Sequence, residues 1–174
     1  MNLEDFNQTI DSWVTALNEY GYLQLHAKPL PASWSVGQVY THLIEETKFY
    51  FDQIEICVIT NDHSEKNPTG EGETMLRNNS FPDQMLDGGP ANARIQQPVS
   101  KGELMISLKN LKDEMNRMAA LIATTEFKGK TRHPGLGYFS AAQWFQFAEM
   151  HFRHHLRQKE RIDDFLRANK ISVG

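Results

Sequence analysis

Three places in the sequence carry the same helix-start signature, a serine followed three residues later by glutamine or glutamate. The pairs are Ser35 with Gln38, Ser100 with Glu103, and Ser140 with Gln143. In such a capping box the serine oxygen accepts an orphan backbone N–H, and the longer side chain returns to the N–H of the cap residue. Each serine cap is worth about 1 kcal/mol. The sequence therefore predicts three helices that begin at these serines.

Each box is also flanked by two apolar residues that could clamp the entry of the chain into the helix. The flanking pairs are Trp34 with Val39, Val99 with Leu104, and Phe139 with Trp144. Because every box precedes a segment with a helical apolar period, we predict helices over residues 35–60, 100–124 and 140–168. An N-terminal segment from Leu3 to about Tyr20 has the same period, and Gly21 is expected to end it with a left-handed cap.

The connection over residues 61–99 is rich in Gly, Pro, Asn and Asp and shows no strand-like alternation. A connection this long is unusual in a compact domain and can carry the chain back along a bundle. We therefore predict an all-α fold, a four-helix bundle with one long crossover between helices two and three. The length of 174 residues is typical of a single domain, assigned to residues 1–174.

Charge and composition restrict the classes of partner that the protein is expected to bind. The chain has 18 Lys and Arg against 22 Asp and Glu, so its formal net charge of −4 argues against nucleic acid as a partner. No apolar run is long enough to span a membrane. The N-terminus lacks the features of a signal peptide, and Cys57 is the single cysteine. These features predict a cytoplasmic protein that acts on a small molecule.

Histidines on the fourth predicted helix indicate a candidate functional site. On a helical wheel, His151 and His155 fall within about 20° of the centre of the apolar stripe formed by residues such as Trp144 and Phe147. Two imidazoles one turn apart can present two nitrogens to one metal ion. The alternative is a pair of hydrogen-bonded core histidines. The spacing alone leaves both interpretations open.

Helix two shows a second apolar face that includes His42, with Glu46 one turn further along. Glu46 has four open roles: a solvated carboxylate, a metal ligand, a group that holds an imidazole ring in place, or a general base.

These residues carry a family resemblance. The segment from Trp34 to Leu43, the segment from His133 to Trp144, and the motif His151-x-x-x-His155-x-x-Gln158 together resemble the DinB/YfiT-like superfamily. The resemblance covers essentially the whole chain. It implies an up-down-down-up four-helix bundle that binds a divalent ion, commonly nickel or zinc. By position, the ligands would be His42, His151 and His155.

The same resemblance implies a class of reaction but does not identify the substrate. Characterised relatives include thiol S-transferases that use a low-molecular-weight thiol and a maleylpyruvate isomerase, and a hydrolase activity has been proposed. Relatives often dimerise, so the resemblance implies a possible homodimer, which exposed apolar residues on helices one and three could build. The alternative is a non-catalytic binding or interaction bundle whose histidine cluster is structural or vestigial.

The sequence also suggests roles for Gln158, for the other histidines and for the single cysteine. Gln158 is a candidate catalytic residue, since it could contact a ligand or hold the ring of His155. His133 could line the mouth of a pocket. His26, His63 and His154 are expected at the surface, and Cys57 is expected to be a packed core thiol.

Overall fold

The computed structural model describes residues 3–82 and 94–171. Within these residues the chain is mostly helical, which confirms the all-α prediction. The elements are α1 Leu3–Asn18, α2 Tyr22–His26, α3 Val36–Cys57, α4 Gly70–Asn78, α5 Lys101–Thr124, β1 Lys130–His133, β2 Gly137–Ser140 and α6 Ala141–Ala168. The four long predicted helices correspond to α1, α3, α5 and α6. None of the described helices combines the length and the hydropathy that a membrane span requires.

The predicted serine caps are confirmed at all three helix starts. Ser35 and Ser140 form complete capping boxes with the glutamines three residues on. At Ser100 the hydroxyl accepts the N–H of Glu103 at 3.1 Å, but no return bond from the Glu103 side chain is found among the described contacts. Val99 is 77% exposed, so the predicted apolar clamp is wrong at this helix.

The first helix ends earlier than predicted. Helix α1 stops at Asn18, and Gly21 has a φ of −88°, so it does not form a left-handed cap. Instead, Gly21 caps the short helix α2, and its N–H donates to Gln24 Oε1 at 2.9 Å. Tyr20 is buried just before α2, and α2 packs on α3.

The core lies between the long helices. Helix α1 packs on α5 and α6, and α3 packs on the same two helices. The α1 residues Phe6, Ile10, Trp13 and Leu17 are fully buried. Helices α3 and α6 form the most extensive pair, and this pair carries the three histidines singled out above.

Besides α2, two short structures within the connections were not predicted. Thr69 caps helix α4 inside the α3–α5 connection, predicted from the sequence to be a crossover, and Asn79 ends that helix in a left-handed conformation with φ of 50°. Strands β1 and β2 form an antiparallel hairpin immediately before α6. Gly137 has φ of 84° and forms an isolated bridge with Pro68, which ties the hairpin to the crossover. Residues 83–93, which belong to the predicted crossover, lie outside the described residues.

Candidate metal site

Three buried histidines converge where the first part of α3 packs on the middle of α6. The Nε2 atom of His151 lies 3.2 Å from Nε2 of His42 and 3.1 Å from Nε2 of His155. One ligand atom of each residue lies within 4.8 Å of the other two. The side chains are only 6–8% exposed. The inward orientation predicted for His151 and His155 is therefore confirmed, and His42 lies with them.

Hydrogen bonding among the three rings can account for only one of the two contacts at His151 Nε2. A neutral imidazole nitrogen carries either one proton or one lone pair. Nε2 of His151 can therefore form one linear hydrogen bond, although it has two nitrogen neighbours at hydrogen-bond distance. The Nδ1 atoms of His42 and His151 are buried and have no partner among the described residues. If these Nδ1 atoms carry the protons, the Nε2 lone pairs face one another, an arrangement that a cation would stabilise.

The donor set fits a divalent ion. Imidazole nitrogens bind zinc at about 2.0–2.1 Å, so two nitrogens on one ion can be no more than about 4.2 Å apart. The two Nε2 separations from His151, 3.1 and 3.2 Å, satisfy this limit, and all three ligand atoms lie within 4.8 Å of one another. Three imidazoles suit zinc, copper or nickel better than the oxygen-preferring ions magnesium and calcium. The three histidines could therefore hold a transition-metal ion and leave coordination positions open.

Burial keeps these imidazoles neutral. Burial, together with repulsion between neighbouring histidines, lowers the pKa of His42 to about 4 and that of His155 to about 3. The pKa of His151, which lies between the other two, falls well below its usual range for the same two reasons. Since only the neutral ring can donate a lone pair to a metal, the fold prepares the ligands at neutral pH.

Gln158 fixes the ring of His155. The Nδ1–H of His155 donates to Oε1 of Gln158 at 2.7 Å, so the lone pair of His155 lies on Nε2, the atom that faces His151. A hydrogen bond of this kind sets the tautomer and orientation of a metal-binding histidine. Of the two roles considered from the sequence, the structure places Gln158 in the one that holds the ring.

Glu46 is half-buried on α3, one turn after His42, and is not one of the three clustered residues. The hydroxyl of Tyr50 donates to Oε2 of Glu46 at 3.4 Å. Burial raises the pKa of Glu46, whereas the Tyr50 hydrogen bond lowers it. Tyr50 in turn packs its ring 5.8 Å from that of His151, so it connects the carboxylate with the cluster.

Aromatic rings surround the cluster. Trp34 lies 4.8 Å from the ring of His42 and 6.4 Å from that of His155, measured between centroids. The ring of Phe81, which follows the end of α4 at Asn78, lies 6.0 Å from the ring of His151. These contacts exclude water and lower the local dielectric, which strengthens electrostatic interactions within the cluster. Phe81 was not predicted, because its position depends on how the crossover folds.

His154 is a correction to the sequence prediction. We expected it at the surface, but it is only partly exposed and stacks on Phe81 at 4.8 Å. Its Nδ1 atom is buried without a partner among the described residues. Burial lowers the pKa of His154, and the charges of Arg157 and Arg161 act in the same direction. His154 lies at the edge of the apolar stripe of α6, where the ring of Phe81 covers it.

The remaining candidates occupy other places. His63 is exposed, as predicted, whereas His26 is partly covered and stacks on Tyr22 at 4.1 Å. His133 ends β1, and its Nδ1 accepts the backbone N–H groups of Gly135 and Leu136. Burial lowers the pKa of His133 to about 4. Cys57 is a buried thiol that donates to the carbonyl of Phe139 at 3.6 Å, so its predicted packing role is confirmed.

Two of the clefts on the described surface bear on the candidate site. The larger, about 520 Å³, lies between the ends of α1 and α6 and includes Tyr20, Lys159 and Asp163. The smaller, about 270 Å³, is called the Phe81 cleft, and the described residues that line it are Ser80, Phe81, Met150, Arg153, His154, Leu156 and Arg157. Neither cleft is lined by the three clustered histidines, but the walls of the Phe81 cleft touch them.

The fold and the site define an all-α protein with a buried three-histidine cluster between two long helices. The family model of the DinB superfamily matches residues 5–158, and the chain belongs to this superfamily. Comparisons with curated proteins and with solved structures each give no significant match. The resemblance inferred from the sequence is therefore confirmed at the level of the family.

Proposed function

We propose that this chain is a divalent-metal-dependent enzyme of the DinB type, in which His42, His151 and His155 hold nickel or zinc. The observation that carries the proposal is the position of His151 Nε2, within 3.2 Å of His42 Nε2 and 3.1 Å of His155 Nε2. We further propose that the reaction is thiol S-transfer or hydrolysis on a small molecule in the cytoplasm. The four long helices would form the up-down-down-up bundle of the family.

A divalent ion bound there would lower the pKa of a water or a thiol and so supply a nucleophile at neutral pH. The protein's own residues have separate tasks. Burial holds the three imidazoles neutral, and Gln158 keeps the Nε2 lone pair of His155 directed at the cluster. Trp34 and Phe81 limit the access of bulk water to the rings.

Glu46 is proposed as the general base. Burial raises the pKa of Glu46 toward physiological pH. A general base is most effective when its pKa lies near the pH at which it acts. The Tyr50 hydroxyl holds one of its oxygens, which leaves the other for a proton from the substrate or the thiol. The low-molecular-weight thiol would be supplied from outside, since Cys57 is buried and hydrogen-bonded.

One observation favours the non-catalytic alternative. Neither of the two clefts described above is lined by a clustered histidine, as expected for a closed, structural site. An enzyme of this kind needs a path by which substrate reaches the cluster.

Metal analysis of protein purified without a histidine tag separates these functions. We expect about one transition-metal ion per chain, retained in His63→Ala, whose histidine is exposed, and lost in His42→Ala. A screen for thiol conjugation and for hydrolysis then follows on the metal-loaded protein. Wild-type protein that takes up no metal would contradict the proposal, whereas full metal occupancy without turnover across the screen would favour the binding alternative.

A further inference from the structure

Phe81 lies between the Phe81 cleft and the histidine cluster. It lines the cleft, and its ring lies 6.0 Å from that of His151, a buried residue that does not line the cleft. The same ring stacks on His154 at 4.8 Å and packs on Phe147 at 5.0 Å. Phe81 therefore forms a wall that the cleft and the cluster share.

A turn at the end of α4 sets the position of Phe81. Asn79 takes a left-handed conformation with φ of 50°, and its N–H donates to the carbonyl of Leu76 at 3.2 Å. The N–H of Ser80 donates to the carbonyl of Met75, also at 3.2 Å. This pair of bonds around a left-handed residue is the Schellman pattern that ends many helices. The turn brings the next residue, Phe81, onto α6.

Two side chains of α6 hold this turn. Nε2 of Gln146 donates to the carbonyl of Leu76 at 2.8 Å and to Oδ1 of Asn79 at 3.0 Å. Nη2 of Arg153 donates to the carbonyl of Asn79 at 2.8 Å. The guanidinium of Arg153 is itself fixed by the buried carboxylate of Glu149, which accepts its Nε at 2.6 Å and its Nη2 at 2.7 Å.

The turn can move without disturbing the core. Residues 77–80 are exposed, so their release from α6 breaks a few hydrogen bonds at the surface and uncovers little apolar area. Segments with these properties are the ones that open locally in folded proteins. Phe81, which is half-buried, would move with the turn and uncover the ring of His151.

We propose that Phe81 is a gate between the Phe81 cleft and the histidine cluster, and that Gln146 and Arg153 are positioning residues that hold this gate closed. The gate supplies the path by which a metal ion or a small molecule reaches the buried imidazoles. That a substrate takes this path rests on the function proposed above. The control of access to the rings by Phe81 does not.

The rate at which diethyl pyrocarbonate modifies each histidine of the metal-free protein tests the gate. This reagent reacts with neutral imidazole nitrogens, and tandem mass spectrometry assigns the modified residue. In the wild type, exposed His63 should react quickly and His151 slowly. Phe81→Ala should raise the rate at His151 at least about tenfold. Phe81→Trp, which keeps a ring over the cluster, should stay within about threefold of the wild type.

Two controls separate a gate from a general loss of stability. Cys57 is 2% exposed, so the rate at which N-ethylmaleimide modifies its thiol reports openings elsewhere in the core. In Phe81→Ala this rate should change less than about twofold, because only the turn and its ring are affected. Phe127→Ala is the matched variant, since it removes a phenylalanine that is 48% exposed, and it should leave the rate at His151 unchanged.

Gln146→Leu tests the hydrogen bonds that hold the turn. The carbonyl of Leu76 keeps the N–H of Asn79 as a donor, so this variant leaves that acceptor paired. We expect the rate at His151 to rise at least about threefold. An unchanged rate would remove Gln146 as a positioning residue.

Zinc release into excess chelator extends the test to the metal. From zinc-loaded Phe81→Ala, release should be at least about tenfold faster than from the wild type. A wild type that takes up no zinc would contradict the proposed function, whereas the rates of histidine modification would still decide the gate. Zinc release at the wild-type rate, together with faster modification of His151, would exclude the gate as the path of the metal.

Three results would overturn the gate itself. The first is an unchanged rate at His151 in Phe81→Ala. The second is an equal acceleration at His151 and Cys57, which would make the role of Phe81 purely structural. The third is an acceleration in Phe81→Trp as large as that in Phe81→Ala, since a ring would then not be what limits access.

Discussion

Nε2 of His151 lies 3.2 Å from Nε2 of His42, although 109 residues separate them in the chain. Helix α3 supplies one ring and α6 the other, so the contact depends on the packing of two helices rather than on local spacing. The third ring, His155, follows His151 by one helical turn. Removing the central ring should therefore disrupt the site more than any change at its edge.

Replacement of His151 by alanine is expected to abolish tight metal binding while the helices persist. The central Nε2 is lost, and two imidazoles on different helices remain, too few for a stable three-nitrogen site. Metal content by mass spectrometry and far-UV circular dichroism check the two parts separately. Retention of stoichiometric metal by this variant would show that the ion binds elsewhere.

Gln158 is expected to affect metal affinity through His155. Gln158→Leu removes the acceptor of the Nδ1–H, so the ring is free to change its tautomer and orientation. Loss of such a partner typically costs 10–100-fold in metal affinity, which a competition titration with a chromophoric chelator measures. Gln158→Glu is the matched control, because it keeps an acceptor and should preserve the affinity. Equal affinities in all three proteins would remove Gln158 from the site.

Glu46 is expected to contribute to turnover and not to metal content. If it is the general base, Glu46→Gln should lower the rate by roughly 10²–10⁴ with full metal occupancy. Glu45→Gln is the control, since Glu45 is an exposed neighbour on the same helix. Tyr50→Phe removes a hydrogen bond that lowers the pKa of Glu46, so the acidic limb of the pH–rate profile should move to higher pH. A drop in metal content in Glu46→Gln would instead make Glu46 a ligand.

The metal-free protein is expected to lose stability as the pH falls from about 6.5 to about 4. Unfolded histidines take up protons near pH 6.5. Burial, however, holds the pKa of folded His42 at about 4 and that of His155 at about 3. In this window the unfolded state binds more protons, so the free energy of unfolding decreases with falling pH, by about 1.4 kcal/mol per pH unit for each proton.

Urea denaturation of chelated protein across this pH range measures the effect. His155→Leu should show a shallower dependence, by up to one proton, because one buried imidazole is gone. His63→Ala should keep the wild-type slope, since His63 is exposed in the folded protein. A wild-type slope of zero over this range would mean that the cluster is protonated or solvated in the folded state.

Metal removal is expected to leave the fold intact at room temperature. Helix α1 contributes none of the three histidines, and its Phe6, Ile10, Trp13 and Leu17 are fully buried in a core formed with other helices. A zinc finger differs, because it lacks such a core and unfolds without its ion. Circular dichroism before and after chelation checks this. A large loss of helical signal would make the metal structural.

Much of the fold follows from local sequence. The serines at positions 35, 100 and 140 cap the three helices predicted from them, because capping depends on residues within one turn. The inward orientation of His151 and His155 follows in the same way from helical periodicity. Neither conclusion requires a contact between distant parts of the chain.

The short elements show where local signals are too weak. Helix α4 has 9 residues and each strand of the hairpin has 4, too few for a clear period. The hairpin is held by contacts with the crossover, including the Pro68–Gly137 bridge. Such elements are stabilised by their neighbours, so the sequence of the segment alone does not reveal them.

The second face of α3 also separates what the sequence pattern predicts from what the packing of the helices decides. Periodicity places His42, Glu46, Phe49 and Ile56 on one stripe, yet His42 is buried while Phe49 and Ile56 are 38% and 45% exposed. Only the packing of α6 and Trp34 against the first part of α3 decides which residues of the stripe are covered.

The sequence by itself determined where the long helices begin and that His151 and His155 share one face of α6. Tertiary structure alone decided that His42 meets them, that Phe81 covers them, and that His154 is partly buried. The reason is the range of the forces. Capping and periodicity act within one or two turns, whereas these contacts bring together side chains that lie far apart in the chain, and only the packed core fixes their distances.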